Sequence, residues 1–214
     1  MAAGDSFKQE KLFKVLVVGD SLVGKTAFVR RYVQGRYEDN YKVTVGVDFA
    51  LKKIQRSEDE VIRLQLWDIA GQERFSSLTR VYYKDASACV IMFDVTQNKT
   101  FQSVIRWKDD VDSKVALRDG TPIPCLLLAN KVDLPEHSVT EEEIKKLSQD
   151  RTFVGWSMIS VKDNVNVADS MKFLVEEILV RTRAQGTKAG ELTDSDGRIK
   201  LPLEHNKEDK SCCF

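Results

Sequence analysis

The stretch "GDSLVGKT", residues 19–26, lies between an apolar run at 12–19 and an amphipathic stretch at 25–34. It matches the pattern G-x-x-x-x-G-K-[ST], which binds phosphate groups when it joins a strand to a helix. The apolar run predicts that strand, and the amphipathic stretch predicts that helix. The stretch therefore predicts an α/β fold with a phosphate-binding loop after its first strand.

Each residue type in this loop has a physical role. Gly19 and Gly24 let the backbone turn tightly, so that the amides from Ser21 to Thr26 can point at phosphate oxygens. The Lys25 ammonium is expected to reach the β and γ phosphates, and the Thr26 hydroxyl to bind Mg²⁺.

The rest of the chain alternates apolar runs with amphipathic stretches. Strands are predicted at 12–19, 44–54, 61–69, 88–95, 124–130 and 153–160, and helices at 25–34, 74–84, 101–117, 140–149 and 165–182. This alternation indicates a mostly parallel sheet that helices cover on both faces. The runs 44–54 and 61–69 adjoin through the polar "QRSEDE", which predicts an antiparallel hairpin at one edge. The predicted fold is α/β, with a six-stranded mostly parallel sheet, one antiparallel edge strand and about five helices.

The 214 residues suffice for one domain with an appended tail. We predict a flexible N-terminus at 1–10, a nucleotide-binding domain at 11–182 and a tail at 183–214. The tail is polar and aperiodic, so it is expected to be disordered.

Composition excludes several classes of protein. Lys+Arg and Asp+Glu number 33 each, so no excess of positive charge favours binding to nucleic acid. The first residues, "MAAGDSFKQEKLFKV", lack the apolar run of a signal peptide, and no stretch approaches membrane-spanning length. We therefore expect a cytosolic protein without structural disulfides.

The segment "NKVD" (130–133) follows the fifth predicted strand, at the sheet edge where ligands bind in such folds. The Asp133 carboxylate can accept hydrogen bonds from N1–H and the exocyclic amine of guanine, a donor pair that adenine lacks. Asn130 is expected to tie this segment to the phosphate loop, and the Lys131 stem to cover one face of the base. Together with the phosphate loop, the segment favours a guanine nucleotide.

Five motifs occur in order: the phosphate loop, "YKVTVGVDF" (41–49), "WDIAGQERF" (67–75), "NKVD" and "ISVKD" (159–163). With them the chain resembles, across about residues 10–182, a Ras-superfamily small GTPase of the Rab family. The resemblance implies the P-loop GTPase fold, GTP and GDP as ligands, and Mg²⁺ as cofactor.

The resemblance also implies a role for each matching residue. Asp68 would hold Mg²⁺ through water, and Thr44 would coordinate it in the GTP state. The Gly71 amide would sense the γ-phosphate. Gln72 would be the catalytic residue, which orients the attacking water. The implied metal ligands are Thr26, Thr44 and Asp68. The implied nucleotide contacts are Ser21, Leu22, Val23, Gly24, Lys25, Thr26, Ala27, Tyr37, Tyr41, Thr44, Gly71, Asn130, Lys131, Asp133, Ser160, Val161 and Lys162.

Two of these positions depart from the family pattern. Leu22 is bulky for a phosphate loop, although its side chain can point outward because the loop works through backbone amides. Val161 replaces the usual small residue of the base-contacting triplet, where its amide could serve guanine O6.

The Rab assignment rests on five segments that resemble those separating Rabs from their relatives: "VGVDF" (45–49), "RLQLW" (63–67), "RFSSLT" (74–79), "YYKDA" (82–86) and "IMFDVT" (91–96). A narrower match is to the Rab subgroup with Ile before "AGQ", "DFALK" (48–52) and Gly155–Trp156. That subgroup serves lysosome-related organelles, endolysosomes and the trans-Golgi. The match implies a switch in vesicle traffic at the cytoplasmic face of these endomembranes.

The resemblance further implies protein partners. These are an exchange factor, an activating protein, a GDP-dissociation inhibitor, an escort protein with its geranylgeranyl transferase, and effectors. Phe49, Trp67 and Tyr82 match an aromatic triad that Rab effectors contact, although aromatic residues in strands are also common in cores. No arginine lies close before Thr44, so we expect slow intrinsic hydrolysis and an activating protein that supplies the missing charge.

The chain ends in "SCCF". A C-a-a-X prenylation box would need cysteine at position 211, which is serine. Cys212 and Cys213 resemble Rab endings that carry two geranylgeranyl groups, and Ile199 and Leu201 resemble the apolar motif that engages the escort protein. Basic and acidic residues balance in the tail, so two lipid chains would anchor it where one gives only marginal binding.

Three alternatives remain open. A phosphate-loop kinase or ATPase would carry a lid of arginines and a second substrate pocket. A GTP-loaded scaffold would bind nucleotide with little turnover, and an interaction protein with a decayed pocket would bind none. Binding of ATP against GTP, and hydrolysis by the wild type and Gln72→Leu, distinguish these alternatives.

Overall fold

The computed structural model describes residues 9–39, 43–75 and 79–182. Within these ranges the strands are β1 (Gln9–Val18), β2 (Val47–Gln55), β3 (Glu60–Ile69), β4 (Ala88–Asp94), β5 (Cys125–Asn130) and β6 (Gly155–Ile159). Their order across the sheet is β2-β3-β1-β4-β5-β6. β2 pairs antiparallel with β3, and all other pairs are parallel. The predicted sheet with its one antiparallel edge strand is confirmed.

The helices of the described ranges are α1 (Lys25–Gln34), α2 (Thr79–Tyr83), α3 (Asn98–Lys114), α4 (Glu141–Asp150) and α5 (Val167–Thr182). A short 3₁₀ helix spans Gly71–Phe75, so the single helix predicted at 74–84 differs from the structure. α3 begins at Asn98 rather than 101, because its first residues are polar and precede the apolar pattern.

The sheet has a hydrophobic cluster on each face. Because successive strand residues point to opposite faces, β1 contributes Val15 and Val17 to one cluster and Leu16 and Val18 to the other. α1 and α5 pack on the first face, and α2, α3 and α4 pack on the second. Helices on both faces were predicted, and this is confirmed.

α4 begins with a capping box, which the spacing of Thr140 and Glu143 predicts. The Glu143 amide donates to Thr140 Oγ1 at 3.3 Å, and the Thr140 amide donates to Glu143 Oε2 at 2.8 Å. Two amides at the helix start thereby gain acceptors.

The parallel strands end at a common edge of the sheet. The segments that follow β1, β3, β5 and β6 therefore meet there, although they are far apart in sequence.

Among the described residues, no helix has both the length and the apolar character that a membrane span requires.

Candidate nucleotide-binding site

A cavity of about 510 Å³ opens at this edge. Its lining includes most of the predicted nucleotide contacts: Ser21, Leu22, Gly24, Lys25, Thr26, Ala27, Tyr37, Thr44, Gly71, Asn130, Lys131, Asp133, Val161 and Lys162. Gln72 also lines it. The fold thus brings together the residues that the five motifs single out.

The remaining predicted residues lie elsewhere. Val23 and Ser160 are buried behind the cavity wall, where they hold Asn130 and Asp133. Asp68 lies behind Thr26. The other predicted positions, Tyr41, Ile199, Leu201, Cys212 and Cys213, lie outside the described residues.

The phosphate loop leads directly into α1. Gly24 precedes the helix with a φ of 98°, and a Cβ there would lie 2.5 Å from Asn130 Nδ2, so only glycine fits. The first amides of a helix have no acceptor within it and carry the positive end of its dipole, which suits phosphate. Leu22 has a φ of 68° and is 62% exposed, so its bulk turns toward solvent.

Lys25 is buried beneath the loop. Its Nζ donates to the Gly19 carbonyl at 2.9 Å and to the Asp20 carbonyl at 2.8 Å. Burial lowers the pKa of Lys25 to about 8, and the carboxylates of Asp68 and Asp20 oppose this shift. Phosphate oxygens beside Nζ would favour the charged ammonium further.

Three oxygen-bearing side chains meet next to Lys25. Thr26 Oγ1 donates to the Asp68 carboxylate and lies 2.7 Å from Thr44 Oγ1. Asp68 is 1% exposed, and its Oδ1 has no hydrogen-bond partner among the described residues. Burial raises the pKa of Asp68, against the Thr26 hydrogen bond and the Lys25 charge. Hydroxyl and carboxylate oxygens are the ligands Mg²⁺ prefers, so these residues fit that ion and it would neutralise the orphaned oxygen.

The 3₁₀ helix starts in contact with the phosphate loop. A Cβ on Gly71 would lie 2.3 Å from the Ser21 nitrogen, so this close approach requires glycine. Gln72 follows as an exposed residue at the cavity wall. The segment predicted to sense the γ-phosphate therefore touches the loop predicted to bind it.

Asn130 joins three segments of the site. Its Nδ2 donates to the Val23 carbonyl at 2.8 Å, which is the expected tie to the phosphate loop. Its Oδ1 accepts from the Val161 amide at 3.2 Å. The Val161 amide, which could serve guanine O6, thus has an acceptor within the protein.

Asp133 and Lys131 are each held by another residue. Ser160 Oγ donates to Asp133 Oδ1 at 2.7 Å, which orients the carboxylate. Lys131 has a φ of 73°, and its Nζ pairs with Asp94 Oδ2 at 2.6 Å. Sequence analysis missed Asp94, although an acidic residue that ends a buried strand at this edge was a usable signal.

Two arginines in the cavity lining were also missed, Arg30 and Arg36. Arg30 lies four residues after Thr26 on α1, so helical spacing places both on one face. Its guanidinium is 3.7 Å from the Glu38 carboxylate. Arg30 thus approaches the cavity from α1 and not from the segment just before Thr44.

The aromatic triad is part surface and part core. Phe49 is 59% exposed, while Trp67 and Tyr82 are half-buried against the cluster under α2 and α3. Phe49 meets Trp67 edge to face at 4.4 Å between ring centroids. Lys14 Nζ lies 3.3 Å from the Trp67 centroid on the same surface.

Comparison with known proteins agrees with this geometry. The Ras family model matches residues 14–180. Ras-related protein Rab-7L1 of Rattus norvegicus is 57% identical over 175 residues, which cover 82% of this chain and 86% of that protein. Ras-related protein Rab-32 of Sus scrofa is 45% identical over 207 residues, or 96% of this chain and 89% of that protein. Ras-related protein Rab-32B of Dictyostelium discoideum is 41% identical over 209 residues, or 98% and 80%.

The chain therefore belongs to the Ras family of small GTPases and, within it, to the Rab group. The predicted P-loop GTPase fold and Rab resemblance are confirmed, and the Rab-32 relatives agree with the narrower subgroup. At the level of the family, this is a small GTPase of membrane traffic that binds GTP, GDP and Mg²⁺.

Proposed function

We propose that this chain is a GTP-hydrolysing switch that recruits effectors to endomembranes. The observation that supports the proposal most strongly is the convergence of Thr26, Thr44 and Asp68 beside the buried Lys25. These four polar side chains come from three segments and lie where phosphates would bind. The stability of an apolar core does not explain why they lie together.

In this proposal the protein acts mainly by positioning GTP, and little of its catalysis is covalent chemistry. Lys25 and the first amides of α1 bind the phosphate oxygens, and Gln72 orients the attacking water at the cavity wall. Thr26, Thr44 and Asp68 would hold Mg²⁺, which would supply positive charge beside the phosphates. Asp133, oriented by Ser160, selects guanine.

Release of the switch follows from the same contacts. Thr44 and Gly71 belong to different segments, and both are expected to depend on the γ-phosphate side of the site. Loss of that phosphate frees both segments, and partners read the change. Exchange factors, activating proteins, a GDP-dissociation inhibitor and effectors are the proposed partners.

We expect slow intrinsic hydrolysis. Arg30 lies in the cavity lining, but its guanidinium faces Glu38, which offsets part of its charge. An activating protein that supplies an arginine would raise the rate by about 10³–10⁵.

The effector surface is proposed to include Phe49, Trp67 and Tyr82. Its most exposed member is Phe49, and the edge-to-face contact holds that ring against Trp67. Trp67→Ala is expected to weaken effector binding; intact binding at normal stability would count against this surface.

Membrane attachment is proposed to use geranylgeranyl groups on Cys212 and Cys213, delivered by the escort protein and transferase. Intact mass of the protein from a eukaryotic host should show two prenyl additions, and an unmodified mass would refute the anchor. Imaging with organelle markers, with both cysteines replaced by serine as control, would identify the endolysosomal, lysosome-related or trans-Golgi membrane.

The base preference is tested by direct binding. The wild type should bind GDP and GTP and show no competition by ADP or ATP, because only guanine satisfies Asp133. Asp133→Ala should lose that preference. Asp163→Ala, at the residue after the cavity-lining Lys162 but itself outside the lining, should keep it. Preference for ATP would favour the kinase or ATPase alternative.

A further inference from the structure

A buried indole holds the phosphate loop from behind. Trp107 of α3 is 1% exposed, within the cluster that also contains Leu16, Val18 and Phe93. Its Nε1 donates to Asp20 Oδ1 at 2.8 Å, across 87 residues of sequence. Hydrogen bonds to an ionised carboxylate are stronger than those between neutral groups.

The position of this carboxylate is unexpected on electrostatic grounds. Asp20 is the second residue of a loop that binds anions, where a negative charge facing the phosphates would repel them. The cavity lining on this side begins at Ser21, the next residue. The bond to Trp107 directs the Asp20 carboxylate into the core side of the loop.

The Asp20 backbone contacts two groups of the proposed switch, Lys25 and Gly71. Its carbonyl accepts from Lys25 Nζ at 2.8 Å. On its other side, a Cβ on Gly71 would lie 2.6 Å from the Asp20 carbonyl carbon and 2.3 Å from the Ser21 nitrogen. The Asp20–Ser21 peptide is therefore packed between the phosphate-binding lysine and the start of the 3₁₀ helix.

We propose that Trp107 is a positioning residue for the γ-phosphate side of the site, acting through the Asp20 carboxylate on the peptide that contacts Gly71. This inference rests on the proposed function, because it takes GTP as the ligand of the cavity. Trp107 itself touches neither nucleotide nor metal.

The test measures dissociation of fluorescent GDP and of a fluorescent non-hydrolysable GTP analogue from the full chain with Mg²⁺. Trp107→Phe removes the donor and keeps a ring in the core, and Asp20→Ala removes the acceptor without changing the core. Each variant should release the GTP analogue about tenfold faster, the size expected for a lost hydrogen bond to a charged group. GDP, which has no γ-phosphate, should be affected less.

Two controls separate positioning from packing. Trp156→Phe trims a buried tryptophan of the same cluster on β6, beside Leu127 rather than the phosphate loop, and should leave both rates unchanged. Asp20→Asn keeps an acceptor for the indole and should restore slow release. The Trp107→Phe/Asp20→Ala double variant should have a smaller effect than the sum of the two single variants, because both remove the same hydrogen bond.

The inference is overturned if Asp20→Ala and Trp107→Phe release both nucleotides as the Trp156→Phe control does, or if their effects add in the double variant. It is also overturned if the two nucleotides are affected equally. Should Trp107→Phe fail to fold, Asp20→Ala against Asp20→Asn decides the question. A wild type that binds no guanine nucleotide would instead refute the proposed function.

Discussion

Asn130 illustrates how one side chain holds separate segments of the site in place. It is 3% exposed, donates to the Val23 carbonyl and accepts from the Val161 amide. Both partners are buried backbone groups, which are costly to leave unpaired. The phosphate loop and the base-contacting segment are therefore aligned by a single amide group.

Asn130→Ala should destabilise the folded protein and weaken nucleotide binding together. The variant leaves two buried backbone groups without this partner, at a cost of about 1–3 kcal/mol each. Thermal unfolding and GDP dissociation would measure both effects. Asn98→Ala, which removes only an exposed 3.5 Å contact to the Ser138 carbonyl, should change neither. A stable Asn130→Ala protein with normal GDP release would contradict this role.

Glu177 is a buried acid remote from the site. It is 2% exposed, its Oε2 has no hydrogen bond among the described residues, and Arg181 Nε lies 3.8 Å away. Burial raises the pKa of Glu177 above its ordinary value of 4.5, and Arg181 only partly opposes this. The folded state therefore binds the proton more tightly than the unfolded state, and ionised Glu177 reduces stability at neutral pH.

Glu177→Gln should raise the free energy of unfolding at pH 7, because the amide carries no buried charge. The difference from wild type should shrink as the pH falls toward 4.5, where the wild-type acid takes up its proton. Urea unfolding across that pH range would measure this. Glu176→Gln, which loses a half-exposed pair with Arg56, should instead be neutral or slightly destabilising. A Glu177→Gln protein that is less stable at pH 7 would show that the Arg181 pair outweighs burial.

Residues inside a local motif were predictable, and residues that act across the fold were not. The tie between Asn130 and the phosphate loop followed from two motifs with known roles. Arg30, Asp94 and Trp107 lie outside the five motifs and come to the site through helix packing or at a strand end. The bond from the Val161 amide to Asn130 was not predictable either, because its acceptor comes from a different segment.

At the scale of elements, hydrophobic periodicity predicted all six strands and most helices. The hairpin β2–β3 followed from a short polar connection, which cannot join parallel strands. The stretch at 74–84 was the exception: the structure has a 3₁₀ helix and a five-residue α2 there. In this stretch Tyr82 belongs to the aromatic triad and Tyr83 to the core, so the spacing of apolar residues is a poor guide to helix length.

Thr140→Ala should lower the free energy of unfolding by about 1 kcal/mol, the usual value for a helix N-cap. Glu143→Ala should act in the same direction, and the double variant should cost less than the sum, because the two side chains form one capping box. Denaturant unfolding would measure this, and GDP release should stay at the wild-type rate since α4 lies outside the cavity lining. Strict additivity would contradict a shared box.

At the scale of the whole molecule, the parallel sheet explains why the site is built where it is. Each connection between parallel strands returns the chain to the edge where the strands begin, so these strands all end at the opposite edge. Segments that are distant in sequence consequently share one cavity of about 510 Å³. The fold class could therefore be predicted from periodicity, whereas the contacts within the cavity required the structure.

Single-turnover hydrolysis of bound GTP with Mg²⁺ measures whether the protein is a GTP-hydrolysing switch. We expect slow conversion to GDP by the wild type alone. Gln72→Leu should be markedly slower, because it retains binding but loses the group that orients water. Fast hydrolysis without any partner, or an unchanged rate in Gln72→Leu, would contradict this proposal.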